Sequence, residues 1–460
     1  MKLDCFKSYD IRGRLGETLD VAIAKRIGAA FADVIGARHV VVGHDARATS
    51  PALKAAVTEG LTATGANVSD LGLCGTEEVY FATGHLEADG GIMVTASHNP
   101  IDYNGMKLVG PGARPVDPQT ELPRIRAVAE RGDWSEASTP GTKTLVDTRP
   151  AYAERVASLS GDLAGRSFRI LANAGNGTAG AAFDAVLDRL GRQGARIDVT
   201  RLHFEPDPSF PHGIPNPLLP ENRAATAMAV RAQGADLGLA WDGDFDRCFF
   251  FDERGDFVDG EYVVALLAEA ALAREPGATI VCDPRLVWAT THAIDAGGGR
   301  RVLSRTGHAF LKARMREAGA VYGGEMSAHH YFREFFHCDS GMIPWVLVLS
   351  LLAASGRPLS AHVAEMRERF PSSGEINFNV PDPGAALEAV EESLGAEAVD
   401  ADRLDGLSLT FPDWRMNLRA SNTEPLLRLN VEARGDRALV ERKVAEVSEL
   451  IRDAAGVAAE

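Results

Sequence analysis

The chain has 460 residues, a formal net charge of -16, and no basic stripe that would suit a nucleic-acid or anionic-membrane partner. Hydrophobic residues make up 45% and charged residues 24%, so it reads as a soluble globular protein long enough for several cores. The five cysteines are scattered and odd in number, without C-x-x-C spacing, which argues against a disulfide framework or a zinc site and for a reducing cytoplasm.

The first residues, Met1 to Lys7, hold no apolar run, so no signal peptide is expected. Tyr9-Asp10-Ile11-Arg12-Gly13 reads as a polar turn after a short strand. A pattern then appears three times. A strand from His39 to Gly43 leads to a helix from Pro51 to Thr64 and a strand near Val68. A strand from Arg169 to Ala172 leads to a helix from Ala181 to Leu190 and a strand from Arg196 to Val199. A strand from Thr279 to Cys282 leads to a helix from Val287 to Ala296 and a strand from Arg301 to Leu303. Each unit closes on one more apolar strand: Gly91 to Val94, Leu237 to Trp241, and Ala320 to Gly323. Such alternation predicts βαβ units with parallel or mixed sheets.

The run from Met342 to Ala354 is too short to span a bilayer and reads as a buried helix. Linkers are expected near Asp133 to Pro150, Phe251 to Gly260 and Gly356 to Pro371. Beyond them the order changes to strand, helix, three strands and a final helix from Asp436 to about Ala454. The expected fold is therefore α/β: three similar α/β domains with mixed sheets plus a smaller C-terminal α+β domain around a central cleft. The boundaries fall at 1–147, 148–252, 253–366 and 367–460.

The closing strand of each repeat runs into a distinctive loop, and ligands of open α/β sheets collect at such strand ends. The first loop is Thr95-Ala96-Ser97-His98-Asn99-Pro100, with Lys107 nearby. It lacks the glycines of a hydrolase nucleophile elbow, and Ser97 is expected on an exposed loop just past the strand. The second loop holds Asp242, Asp244 and Asp246 in alternation, which an extended backbone would point to one side. Three close carboxylates call for a hard cation, Mg²⁺ or Ca²⁺. An EF-hand needs Gly where Arg247 stands, so a calcium loop is excluded. A serine, a metal loop and nearby cations fit phosphoryl transfer, where positioning and charge neutralisation do the catalytic work. The third loop offers Glu325 and Ser327 for sugar hydroxyls, with His329 beyond them. A fourth loop, Arg419 to Pro425, offers Arg419, Ser421, Asn422 and Thr423 as a phosphate cradle.

Together, Lys7 to Gly13 and these four loops, in this order, resemble the α-D-phosphohexomutase superfamily, in its bacterial phosphomannomutase/phosphoglucomutase branch. The resemblance covers essentially the whole chain. It implies that Ser97 is the phosphoserine and that Ser97, Asp242, Asp244 and Asp246 hold Mg²⁺. It implies that His98, Lys107, Arg12 and Arg247 are cationic neighbours of the transfer site, with Ser97, His98, Lys107 and Arg247 as the catalytic set. Tyr9 and His308 match cleft positions. Glu325, Ser327 and His329 match sugar contacts. Arg419, Ser421, Asn422 and Thr423 match the grip on the distal phosphate. Arg285 stands where relatives often carry Lys.

The implied reaction interconverts mannose 6-phosphate and mannose 1-phosphate, with a hexose 1,6-bisphosphate as intermediate and activator. Glucose 1- and 6-phosphate are further expected substrates. A cytoplasmic monomer feeding GDP-mannose and polysaccharide synthesis, with neither nucleic acid nor membrane as partner, follows by resemblance. A phosphoglucomutase, a metal-dependent sugar phosphatase and a non-catalytic sugar-phosphate sensor are the alternatives.

Overall fold

The computed structural model describes residues 2–420 and 426–455. The chain divides into two compact units: Met1–Phe257 with His329–Pro358, and Val258–Ala328 with Leu359–Glu460.

The first unit holds two mixed sheets. In the six-stranded one the order is Ile11–Arg14, Tyr103–Val109, Gly90–Val94, His39–His44, Asn67–Leu73 and Lys143–Leu145. Gly90–Val94 is buried along its whole length, parallel to His39–His44 and antiparallel to Tyr103–Val109. That interior position explains why the strand is an unbroken apolar run rather than an alternating one. The helix Val21–Ile35 starts on Asp20, whose carboxylate accepts from the Ile23 amide, and ends at Gly36 in the left-handed region. Lys143–Leu145 adds an edge strand within a stretch expected to be a linker. All three of its residues are exposed, so no apolar alternation announced it.

The four-stranded sheet has the order Cys248–Phe251, Leu237–Trp241, Ser167–Asn173 and Arg196–Leu202. Its strands are parallel except Cys248–Phe251, which folds back on Leu237–Trp241. The same unit contains the short hairpin His330–Phe332 with Cys338–Asp339, and the buried helix Ile343–Ser355. Among the described residues no single helix is long and apolar enough to cross a membrane.

In the second unit, Thr279–Cys282 lies parallel to both Arg300–Leu303 and Tyr322–Gly324. A separate antiparallel sheet runs Ser372–Asn379, Leu426–Ala433, Trp414–Ala420, Leu407–Thr410 and Asp400–Asp402. The helices Pro383–Leu394 and Arg437–Ala455 share a core with it that includes Val390, Leu409, Met416, Leu429, Val447 and Ile451. The expected architecture, three α/β domains with mixed sheets and a C-terminal α+β domain, is the one observed.

Candidate active site

Gly90–Val94 and Leu237–Trp241 are both buried throughout, and each ends in one of the loops singled out above. Ser97 follows the first. It is 3% exposed rather than on an open loop, and its φ is 48°, in the left-handed region. The loop is closed over by Arg47, whose guanidinium donates to the carbonyls of Pro100 (2.8 Å), Tyr103 (3.1 Å), Ser97 (3.0 Å) and Asn99 (2.5 Å). Asp45 supports it from the other side, accepting from the Ala96 amide and the Ser50 hydroxyl.

Asp242, Asp244 and Asp246 follow the second strand. The backbone here is a turn rather than the extended segment expected: the Phe245 amide donates to the Asp242 carbonyl at 3.2 Å, and Phe245 has a φ of 45°. The three carboxylates still converge, each offering an oxygen within 4.8 Å of the others. Gly243 allows the approach of the two loops, since a Cβ there would stand 2.8 Å from the Ser97 carbonyl oxygen.

The partners divide the carboxylate oxygens into two sets. Asp242 Oδ2 accepts from Ser97 Oγ at 2.6 Å and from Arg247 Nε and Nη2 at 2.9 and 2.7 Å. Asp244 Oδ2 accepts from Lys107 Nζ at 2.8 Å, and Lys107 also donates to Asp246 Oδ2. The three Oδ1 atoms are buried and carry no hydrogen bond. Three unsatisfied carboxylate oxygens at one place are costly unless a cation takes them. An all-oxygen donor set of this kind fits Mg²⁺.

Burial and the neighbouring charges pull the three carboxyl groups in different directions. Burial raises the Asp242 and Asp246 pKa values, Asp246 strongly so with Asp244 adding to it. Burial also works against the Asp244 charge, but Lys107 outweighs it and holds that carboxyl well below the usual range. Lys107 and Arg247 are themselves buried, and the carboxylates more than restore their charges. Arg12 adds a third positive charge acting on Asp244 and Asp246.

His98 Nδ1 lies 3.1 Å from Ser97 Oγ and also against Arg247 Nη2. Burial, then Arg247 and Arg12, push its pKa well below the ordinary imidazole value. Burial and the two neighbouring arginines thus disfavour the charged form expected of His98. Arg12 donates to Asp10 Oδ2 at 3.0 Å and Asn99 Oδ1 at 3.1 Å, and Tyr9 is half-buried two residues before the strand that carries Arg12. His329 Nε2 stands 3.7 Å from Asp246 Oδ1, grouped with Asp246 and Asp339.

A second polar group lies within the second unit. Glu325 is buried and its Oε1 accepts from the Gly307 amide at 2.8 Å, next to His308 at the start of the helix His308–Ala318. Arg285 is buried and forks onto Asp283, with Nε to Oδ1 at 3.0 Å and Nη2 to Oδ2 at 2.9 Å. It also reaches Ser327 Oγ at 3.4 Å and Glu375 Oε2 at 3.3 Å. A lysine could not make this fork. Arg419 is 7% exposed, with Glu375 at 3.8 Å and Asp405 at 4.0 Å. Its cross-strand partner Arg428 also faces Glu375, at 3.6 Å. Ser421, Asn422 and Thr423 lie outside the described residues.

Sequence reasoning missed Arg47, Asp45 and Arg428. Arg47 and Asp45 act on backbone groups. Only Arg428, nine residues after Arg419 on the next strand, had a signal in its charge at a strand position.

Residues 4–136, 150–255 and 259–370 match domains I, II and III of the phosphoglucomutase/phosphomannomutase α/β/α type, and 375–450 match its C-terminal domain. A phosphomannomutase of Salmonella montevideo is 51% identical, with 98% of this chain and 99% of that protein aligned. A protein of Xanthomonas campestris named phosphohexose mutases is 52% identical over 98% of this chain and 100% of its own. A solved phosphoglucomutase/phosphomannomutase family protein from Burkholderia thailandensis superposes with a TM-score of 0.88 at 30% identity, covering 99% of this chain and 98% of its own. The repeats, the serine beside the aspartate triad and these matches over the full length lead to one conclusion: the chain belongs to the phosphoglucomutase/phosphomannomutase family, within the α-D-phosphohexomutase superfamily.

Proposed function

We propose that the chain is a phosphomannomutase that interconverts mannose 6-phosphate and mannose 1-phosphate through a phosphorylated Ser97, and that it also accepts glucose phosphates. The observation that carries this reading is the meeting of Ser97 Oγ with three buried carboxylates, each with one oxygen that takes no hydrogen bond and each offering an oxygen within 4.8 Å of the others. The phosphomannomutase name of the Salmonella montevideo relative, at 51% identity, supports the choice of mannose.

Asp242, Asp244 and Asp246 would hold Mg²⁺ together with an oxygen on Ser97. When bound there, the ion neutralises charge on the transferring phosphoryl group. Arg247, with Nη2 at 3.1 Å from Ser97 Oγ, and Lys107 add fixed positive charge at the same point. His98, beside Ser97 Oγ, is placed to move a proton at that atom.

In the first half-reaction the Ser97 Oγ–P bond breaks as a bond forms from the substrate's free hydroxyl oxygen to phosphorus. The hydroxyl proton ends on Ser97 Oγ, and the product is a hexose 1,6-bisphosphate. In the second, the bisphosphate has turned and returns its other phosphoryl group to Ser97. Tyr9, Arg12, His308 and His329 would line the substrate, and Glu325 and Ser327 would read sugar hydroxyls. Arg419, with Ser421, Asn422 and Thr423, would grip the distal phosphate. The enzyme would act as a cytoplasmic monomer, supplying mannose 1-phosphate for nucleotide-sugar synthesis.

A coupled assay for isomerised product tests the reading. Mannose 6-phosphate formed from mannose 1-phosphate supports it. Free phosphate alone would make the protein a phosphatase, and neither product would make it a binding protein. Mannose and glucose differ at C2, and none of the proposed hydroxyl readers addresses that carbon. The rates on mannose 1-phosphate and glucose 1-phosphate should therefore differ by less than about a thousandfold, or roughly 4 kcal/mol of transition-state binding.

A further inference from the structure

Asp244 is held from behind by an element that the mechanism above does not use. Thr76 opens the helix Thr76–His85, and its hydroxyl donates to Asp244 Oδ2 at 2.5 Å. Its amide donates to the Asp244 carbonyl at 3.0 Å. One residue thus fixes both the backbone and the side chain of the central carboxylate. Thr76 is fully buried, as is Asp244, so water does not compete for either bond.

The flanking residues lock Thr76 in place. At Gly75 the chain passes against the Phe245 ring, where a Cβ would stand 2.0 Å from Phe245 Cε1. Glu77 is fully buried, and its carboxylate accepts from the Tyr152 hydroxyl, Ser340 Oγ (2.9 Å), the Gly341 amide and the Met342 amide (3.3 Å). These donors are neutral, and residues 340–342 lead into the helix Ile343–Ser355, whose N-terminus favours a carboxylate. Gly341 in turn accepts from the Trp241 indole at 2.9 Å, at the end of the strand that delivers the aspartate loop.

We infer that Thr76 is a positioning residue of the metal site. It turns the Asp244 carboxylate so that Oδ1 faces the cation, while Lys107 supplies the charge on the other oxygen. The division follows from the chemistry of the two donors on Asp244 Oδ2. Lys107 neutralises, and its flexible stem allows rotation. Thr76 carries no charge but is rigid, because its backbone is bonded to the same aspartate. The inference rests on the reading of the triad as a magnesium site. Outer hydrogen bonds to metal ligands are typically worth about 10- to 100-fold in metal affinity.

The test is titration of Mg²⁺ into the full-length dephosphorylated protein by calorimetry, with Mn²⁺ followed by electron paramagnetic resonance as a second probe. Thr76→Val keeps the shape and removes the hydroxyl, and should weaken binding about 10- to 100-fold. Thr76→Ser keeps the hydroxyl and should restore affinity to within about threefold of the parent, a recovery that a purely packing role would not give. Thermal unfolding without metal confirms that both variants are folded. Asp244→Asn is measured beside them. If Asp244→Asn binds Mg²⁺ as the parent does, the reading of the triad fails. If Asp244→Asn is weakened while Thr76→Val is not, or if Thr76→Ser is as weak as Thr76→Val, the role given to the Thr76 hydroxyl is overturned.

Discussion

The hydroxyl of Ser97 donates to Asp242 Oδ2 at 2.6 Å, across 145 residues of sequence. The same oxygen of Asp242 takes two hydrogen bonds from Arg247, and Arg247 Nη2 also reaches Ser97 Oγ. Serine, aspartate and arginine thus form a closed triangle in which any phosphoryl group on Ser97 must displace the Ser97–Asp242 bond.

Ser97→Ala removes the phosphoryl carrier together with the contacts of its hydroxyl to Asp242, Arg247 and His98. Turnover should fall by several orders of magnitude, while stability changes by about 1–3 kcal/mol. Intact mass after incubation with a hexose 1,6-bisphosphate should show one added phosphate on the parent and none on the variant. Full turnover in Ser97→Ala would remove Ser97 from the chemistry.

Arg47 should be less replaceable than its distance from the phosphoryl group suggests. It is 2% exposed and bonded to four backbone carbonyls of the serine loop. Arg47→Met leaves those acceptors buried and should cost at least about 3 kcal/mol of stability. Arg47→Lys should recover only part of it, because an ammonium has no planar fork. Urea unfolding measures the first effect, and the rate of phosphoserine formation measures the loosening of Ser97. A lysine variant equal to the parent in both would contradict this role.

Acid should destabilise the fold through His330. Its side chain is fully buried, and burial lowers its pKa to about 3. In the unfolded chain it binds a proton near pH 6.5, so below that pH the unfolded state holds the extra proton. Stability from this group is complete above about pH 6.5 and falls by about 1.4 kcal/mol per pH unit below it, until the folded state also protonates near pH 3. Chemical unfolding at pH 7 and pH 5 should therefore show a steeper loss for the parent than for His330→Gln. Equal slopes would show that His330 is not held neutral.

Arg419→Ala should weaken 1-phosphate and 6-phosphate substrates alike if, as proposed above, Arg419 grips the distal phosphate in both orientations. The arginine is buried beside Glu375 and Asp405, with Arg285 and Arg428 also on Glu375. Losing one charge-assisted contact is worth about 1.5–3 kcal/mol, on the order of ten- to a hundredfold in affinity. More bisphosphate should escape per turnover. Initial rates in both directions, with released bisphosphate counted, check this; no change in either would leave Arg419 a structural residue.

The parts of this site that the sequence made legible are those where an apolar strand stops abruptly. Val94 and Trp241 end buried strands, and the polar residues after them had to lie at strand ends. The aspartate triad was legible from carboxylate density, although its geometry was not. Phe245 turns through the left-handed region, and the acidic side chains converge by a turn instead of by alternation along an extended chain. The burial of Ser97 and the downward pKa shift at His98 were hidden for a related reason, since both depend on what folds over the loop: Arg47, Arg247 and Arg12. Residues that act on backbone atoms, such as Arg47 and Asp45, leave no pattern in sequence. Lys143–Leu145 left none either, because an exposed edge strand needs no alternation.

The central claim is that the phosphoryl group on Ser97 goes to the substrate and that a different one comes back. The direct measurement is to load Ser97 with ³²P from a labelled hexose 1,6-bisphosphate, remove excess label, and add unlabelled mannose 1-phosphate. The first turnover should place ³²P on C6 of mannose 6-phosphate, while Ser97 keeps an unlabelled phosphoryl group taken from C1. Release of the label as inorganic phosphate, or isomerised product formed while the label stays on Ser97, would contradict it.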